Sequence, residues 1–292
     1  FNYYGILSDG VSSRLPNGMP QEKLRLKDAN FFQKENTQKV VLIGDSHAEA
    51  LEFHLNEEIK KNDLSLHRFS TALYLKNFNF SNKKTGKIFE NYSLVNNKLD
   101  KFIDENSNLV VILHYRWSIR FLETYFDNKE GFREQSKTSY RFILEPEGIK
   151  TSSREEREKF IKEALKDQIQ NILNKGHKLI LVYPVPEMGF HPIRLLYRKY
   201  LFEKNFLSNS LPILSGSYDV FKKRNELIFK ILDNIQNPNI YRVYPHNFFC
   251  NTIVKDRCVA NDEKNIFYFD DDHLSSYGSK LVVEEIMNKI NP

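Results

Sequence analysis

The chain has 292 residues, of which 40% are hydrophobic and 28% charged, and a formal net charge of +5. That length suits one large domain or two small ones with a substantial core, and the composition is ordinary for a globular fold. Lysines are spread along the whole chain without a dense basic stripe, so nucleic-acid binding finds no support. No apolar run approaches the length of a membrane span.

In chain order, residues 1–36 are irregular and rich in turn formers, as in SDGVSSRLPNG (8–18). The chain opens on Phe1 rather than Met and shows no signal-peptide pattern, which reads as a piece of a longer precursor. The apolar run VVLI (40–43) predicts a fully buried parallel strand. Gly44 then permits a tight turn, and the amphipathic pattern over 47–61 predicts a helix. Further strands are expected at 65–69, 109–113, 178–183 and 240–244. Helices are expected near 88–105, 154–175, 217–236 and 275–290, with Gly176 as a C-cap glycine ending the second of these. This alternation predicts an α/β fold: a three-layer α/β/α sandwich on a five-stranded parallel, flavodoxin-like sheet of order 2-1-3-4-5. Insertions near 115–153 and 187–215 follow the third and fourth strands, where they would overhang the crevice as substrate walls or remain surface excursions.

Two short segments carry the chemistry. In VVLIGDSHAEA (40–50), Ser46 would stand at a strand end facing a helix N-terminus, where unpaired N–H groups favour a developing oxyanion. In FDDDHLSSYGS (269–279), Asp270 precedes His273 by three residues. A serine hydroxyl needs an imidazole to take its proton, and that imidazole needs a carboxylate to fix its tautomer. Ser46, His273 and Asp270 therefore form the candidate nucleophile, base and orienting acid of a serine hydrolase or acyl-transfer site. Asp271 and Asp272 are expected to face water, cap the following helix or repel anions. Cys250 and Cys258 flank a polar loop; the reading is a short-loop disulfide in an oxidising compartment, the alternative two free thiols. No metal site is expected, because His246 and His273 lack well-spaced co-ligands.

GDSHA also matches the G-x-S-x-G elbow of α/β-hydrolases with Ala in the last place, but only about forty irregular residues precede Ser46, too few for the strands that fold needs. An early GDS and a late D-x-x-H instead resemble the SGNH (GDSL-like) hydrolase superfamily. DGVSSRLP (9–16), GDSHA, LVYPVPEMG (181–189), the paired cysteines and YFDDDHLS (268–275) occur in that order. Together they resemble the SGNH domain fused to the C-terminus of acyltransferase-3 membrane proteins, the O-acetyltransferases of bacterial surface polysaccharides. The resemblance implies that 1–36 is an extension linking a membrane domain to a catalytic domain over 37–292. It implies a periplasmic location at a bacterial inner membrane, and the N-terminal acyltransferase-3 transmembrane domain of the same polypeptide as partner. The domain itself would bind no cofactor; acetyl-CoA would be the donor to the membrane domain. Ser46 would accept the acetyl group and pass it to a hydroxyl of an O-antigen, lipooligosaccharide or similar glycan.

The departures from the superfamily concern the oxyanion. The expected glycine after the second strand is replaced by Ser70-Thr71-Ala72-Leu73, and the expected asparagine after the third by His114-Tyr115-Arg116-Trp117-Ser118. The candidate donors are therefore the Ser46 N–H, a backbone N–H near Thr71 and the Arg116 side chain. His47, Trp117 and Glu187 are candidate substrate contacts, against capping or packing for His47 and a core position for Trp117. A free-standing carbohydrate O-acetyl esterase would use the same three residues. A catalytically silent glycan-binding domain is the reading that the missing oxyanion residues favour.

Overall fold

The structure, a computed structural model, describes residues 31–134, 139–202 and 211–290. Five strands form one parallel sheet: β1 (Lys39–Gly44), β2 (Ser65–Ser70), β4 (Val110–His114), β6 (Lys178–Val182) and β8 (Ile240–Val243), in the spatial order β2-β1-β4-β6-β8. Counted along the chain, this is the expected order 2-1-3-4-5. Alternation along β1 explains why it reads as an unbroken apolar run. Val40 and Leu42 join the core on one face, Val41 and Ile43 the core on the other.

Helices α2 (Glu52–Lys61) and α9 (Ser276–Ile290) bury Leu55, Ile59, Val282 and Ile286 against the first face. Helices α3 (Glu90–Glu105) and α5 (Arg154–Asn174) cover the second through Leu99, Ile103, Ile161 and Ile169. Helix α7 (Tyr218–Asp233) adds Ile228 and Ile231 to that second face. The result is the three-layer α/β/α sandwich. After α5, Gly176 takes φ +77 and its N–H bonds the Leu173 carbonyl at 2.9 Å, the C-terminal role expected of it.

Several details differ from expectation. The helix expected over 47–61 is two pieces, a single turn α1 (Ser46–Glu49) and then α2, with Ala50 and Leu51 between. The region 115–153 holds α4 (Trp117–Leu122) and β5 (Phe142–Pro146), and β5 pairs antiparallel with β3 (Phe78–Asn82). Near 187–215 lies α6 (Pro192–Phe202), while β7 (Ser215–Ser217) pairs antiparallel with β9 (Arg257–Val259). A short α8 (His246–Phe249) precedes the Cys250–Cys258 disulfide, which is formed. The DGVSSRLP segment lies outside the described residues. Of the expected extension, 31–36 runs along α2 and β2, where Phe32 N–H bonds Asn56 Oδ1 and Leu66 N–H bonds the Phe32 carbonyl. Among the described residues no helix is long and apolar enough to cross a membrane.

Candidate active site

Gly44, the last residue of β1, lies level with Ser70 of β2 and His114 of β4, so three strands end together at one edge of the sheet. Ligands in such sheets gather at these carboxyl ends, beside the point where strand order reverses. Gly44 is needed for space: a Cβ there would stand 1.9 Å from the His114 carbonyl oxygen and 2.4 Å from Ala48 Cβ. This close approach lets the turn after Gly44 bring α1 directly against β4.

Asp45 caps α1 and is buried. Its carboxylate accepts from His47 N–H (3.1 Å), from Arg116 N–H (3.1 and 3.2 Å) and from Arg120 Nη2 (2.8 Å). Burial pushes this carboxyl up, but Arg120 and the N–H donors outweigh it and hold the group below the usual range. The turn carrying Ser46 is thereby tied to the segment that follows β4.

The loop carrying the histidine is fixed from elsewhere. The Asp271 carbonyl accepts from Met188 N–H at 2.8 Å and from Gly189 N–H at 3.2 Å. Gly189 adopts φ +70, in the left-handed region that favours glycine. Ser275 Oγ donates to the Ile266 carbonyl at 2.6 Å, just before α9. The MG at the end of LVYPVPEMG thus serves as a clamp on the acidic loop.

These two anchored segments bring Ser46, His273 and Asp270 together although Ser46 and His273 are 227 positions apart. Ser46 Oγ lies 2.7 Å from His273 Nε2, and His273 Nδ1 lies 2.9 and 3.0 Å from the two oxygens of Asp270. Asp270 Oδ1 also accepts from the N–H groups of His273 (2.8 Å) and Asp272 (3.1 Å), which fixes the carboxylate. Ser46, Asp270 and His273 are all half-buried, in reach of solvent.

Asp272 does not face water as expected. It is 4% exposed and stands 3.0 Å from His273 Nδ1, 3.1 Å from His47 Nε2 and 3.0 Å from Arg116 Nη1. Burial raises its carboxyl, but Arg116 and His273 drive it well below the ordinary value. For His273, burial lowers the imidazole, and Asp272 together with Asp270 more than reverses this, raising it to about 10. Asp271 goes the other way, pushed up to about 7 by burial and by its acidic neighbours.

The remaining candidates are corrected. Thr71 cannot offer its N–H to an oxyanion, because that group bonds the Gly44 carbonyl at 2.8 Å while its hydroxyl bonds Asn96. The Arg116 guanidinium is committed to Glu187, Glu134 (2.6 Å) and Asp272. Glu187 is buried between Arg116 and Arg224, with both carboxylate oxygens engaged. His47 is 3% exposed and lies behind His273, ring centroids 5.0 Å apart, so it supports the site from within. Trp117 is 1% exposed, donates Nε1–H to the Val182 carbonyl at 2.9 Å and packs edge-on to Tyr115, so its core reading stands and no sugar reaches its face. Among the described residues, the N–H groups of Ser46 and Ala72 have no acceptor. Ala72 adjoins Thr71, so its N–H falls within the expectation of a backbone donor near Thr71.

His47, Asp272 and His273 place potential ligand atoms within 4.8 Å of one another. Arg116 already puts a fixed cation on Asp272, and the group is complete as an ion-pair network. A hydroxyl, an imidazole and a carboxylate in this line can pass a proton off the hydroxyl and stabilise the imidazolium that results.

The periplasmic domain of the lipopolysaccharide acetyltransferase from Salmonella ser. Paratyphi A has a similar fold: TM-score 0.58 at 17% identity, over 100% of this chain and 97% of that one. No curated protein sequence matches the chain. The family described as the SGNH domain fused to AT3 domains matches residues 16–288. That span takes in the GDSHA turn, the LVYPVPEMG clamp and the acidic loop, and nearly the whole sandwich that assembles them. The chain belongs to this family of SGNH domains.

Proposed function

We propose that this chain is an O-acetyltransferase domain that carries an acetyl group on Ser46 and passes it to a hydroxyl of a bacterial surface glycan. The observation that carries the reading is the hydrogen-bonded line from Ser46 Oγ through His273 to Asp270, in a domain of a family defined by its fusion to AT3 domains. In the first half-reaction, Ser46 Oγ gives its proton to His273 Nε2 and attacks the acetyl carbonyl. The tetrahedral intermediate collapses, and the leaving group takes the proton from the imidazolium. In the second, a glycan hydroxyl gives its proton to Nε2 and attacks the acetyl-serine carbonyl, and Ser46 Oγ departs with that proton. Asp270 holds the ring in the tautomer both steps need. The N–H groups of Ser46 and Ala72, which bond no described acceptor, are the donors proposed for the developing oxyanion.

The donor in this reading is an acetyl group derived from acetyl-CoA and delivered by an acyltransferase-3 membrane domain of the same polypeptide. The chain then works on the periplasmic side of the inner membrane. The lipopolysaccharide acetyltransferase named above supports the direction of the reading through its fold.

The silent glycan-binding alternative draws on one observation, the commitment of the Thr71 N–H and the Arg116 side chain to other partners. Hydrolysis of p-nitrophenyl acetate by the purified domain decides between them. The enzyme reading expects slow turnover that is lost in Ser46→Ala and in His273→Ala, and a trapped acetyl adduct on Ser46 seen by mass spectrometry. Equal rates in wild type and Ser46→Ala would leave the silent reading. Transfer is separated from hydrolysis in cells: acetylation of the glycan should need both this domain and the membrane helices, whereas an esterase would strip acetyl from it.

A further inference from the structure

We propose that Asp272 is a second positioning carboxylate for His273, holding the imidazole from within the protein while Asp270 holds it from the solvent side of the loop. The inference rests on the reading of His273 as the base and adds a residue to it. Three observations carry it. Asp272 Oδ1 and the Asp270 oxygens converge on the same Nδ1, at 3.0 Å and at 2.9 and 3.0 Å. Asp272 is the better shielded of the two, its side chain 6% exposed against 26% for Asp270, so its charge acts on the ring with less screening by water. Asp272 is also held independently of the ring: Oδ2 contacts His47 Nε2 at 3.1 Å and Arg116 Nη1 at 3.0 Å. Arg116 is in turn fixed by Glu134 and Glu187, and Glu187 by Arg224. Among the described residues, Asp270 has no such backing beyond the N–H groups of its own loop.

The division of labour follows from this. One Nδ1–H cannot be aimed fully at two carboxylates, so the pair confines the ring between them and shares its charge. Asp270, bound to two loop N–H groups, sets the tautomer. Asp272, buried and braced, stabilises the imidazolium that forms when Ser46 gives up its proton. The titratable and charged groups around the ring are Asp270 and Asp272 on its own loop and His47 from α1, with Arg116 one contact further out. Asp271 acts on both carboxylates and His191 acts on Asp270. Removing the Asp272 charge therefore lets the imidazole lose its proton at lower pH, because the anion that favoured the charged ring is gone.

The test uses the whole domain with Asp272→Asn, which keeps the shape and removes the charge. Expected are a fall in the plateau kcat for p-nitrophenyl acetate, read above the rising limb, of about ten- to a hundredfold with little change in KM, and a rising limb of the pH–rate profile displaced toward acid by about one unit or more. A purely structural role would lower the amount of folded enzyme without moving that limb. His47→Gln, which leaves Asp272 charged but loosens it, should move the limb less and serves if Asp272→Asn does not fold. Titration of His273 by 15N NMR in Ser46→Ala and in Ser46→Ala with Asp272→Asn gives a readout independent of activity. The same acidward shift supports the inference, and coincident midpoints overturn it. Wild-type hydrolysis that does not depend on Ser46 would count against the proposed function, and the NMR midpoints would still decide the role of Asp272.

Discussion

The two sides of Ser46 are built very differently. On the side of the base stand two carboxylates, a second histidine and Arg116, which holds Asp272 and is itself braced by Glu134 and Glu187, with Arg224 behind Glu187. On the other side, the donors proposed for the oxyanion are backbone groups, the N–H groups of Ser46 and Ala72. The superfamily's glycine and asparagine are both absent there. An N–H donor can come from any residue but proline, whereas a buried charge needs a partner of opposite sign held in a fixed place. After β4, Arg116 faces inward and ion-pairs with Glu134, Glu187 and Asp272, beside the base.

The comparison can be broken most sharply at its centre. Ser46→Ala and His273→Ala should each lower the hydrolysis of an activated acetyl ester by about ten-thousandfold or more. Ser46→Ala should leave the melting temperature nearly unchanged, whereas His273→Ala also removes the ion pairs to Asp270 and Asp272 and should lower it. A much smaller loss would mean that neither side of the serine works as described. Next comes the shared anchor. Asp45→Ala strands Arg120 and the Arg116 N–H without their buried acceptor and should cost about 3–5 kcal/mol of stability, read by urea unfolding.

The pH dependence tests the crowded side. His273 must be neutral to act as base and is raised to about 10, so kcat/KM should climb about tenfold per pH unit from neutral toward that value. A plateau from pH 7 would show that the carboxylates do not hold the proton on the ring. The stability it contributes has the opposite sign: it is fully present below the ordinary imidazole value of 6.5 and is lost as pH rises through about 10.

The smallest effects test the sparse side. Thr71→Val removes the hydroxyl bond to Asn96 and should cost about 1–2 kcal/mol while leaving kcat unchanged. A hundredfold fall in kcat would return Thr71 to the oxyanion. Trp117→Phe loses the indole bond to Val182 and some packing, about 1–2 kcal/mol, with KM for a glycan acceptor unaltered. A raised KM would restore the stacking role.

Much of the architecture was legible because the physics behind it is local. β1 reads as a strand from four consecutive β-branched or aliphatic residues, and α5 ends at Gly176 because a left-handed residue closes it. The spacing of Asp270 and His273 is likewise a local matter, a turn of three residues. Trp117 and Glu187 were legible only as residue types suited to sugars. Whether an aromatic face or a carboxylate is free depends on partners distant in sequence, Val182 for the tryptophan and Arg116 and Arg224 for the glutamate. Asp272 was read as solvent-facing because an acidic run usually is, and only its contacts with His47 and Arg116 say otherwise. The β3–β5 and β7–β9 pairs escaped for the same reason, being short strands whose partners lie far along the chain.

By itself, the order of apolar runs and turn formers determined a five-stranded parallel sandwich, and the GDS and D-x-x-H segments determined which hydroxyl, imidazole and carboxylate could meet. Periodicity and spacing act within a few residues, so they can be read without coordinates. Only the tertiary structure decided which charged groups turn inward, because the burial of a charge depends on a partner supplied by another element. It is that pairing, across β1, β4, β6 and the loop before α9, that makes Asp272 and Arg116 part of the site and leaves Trp117 in the core.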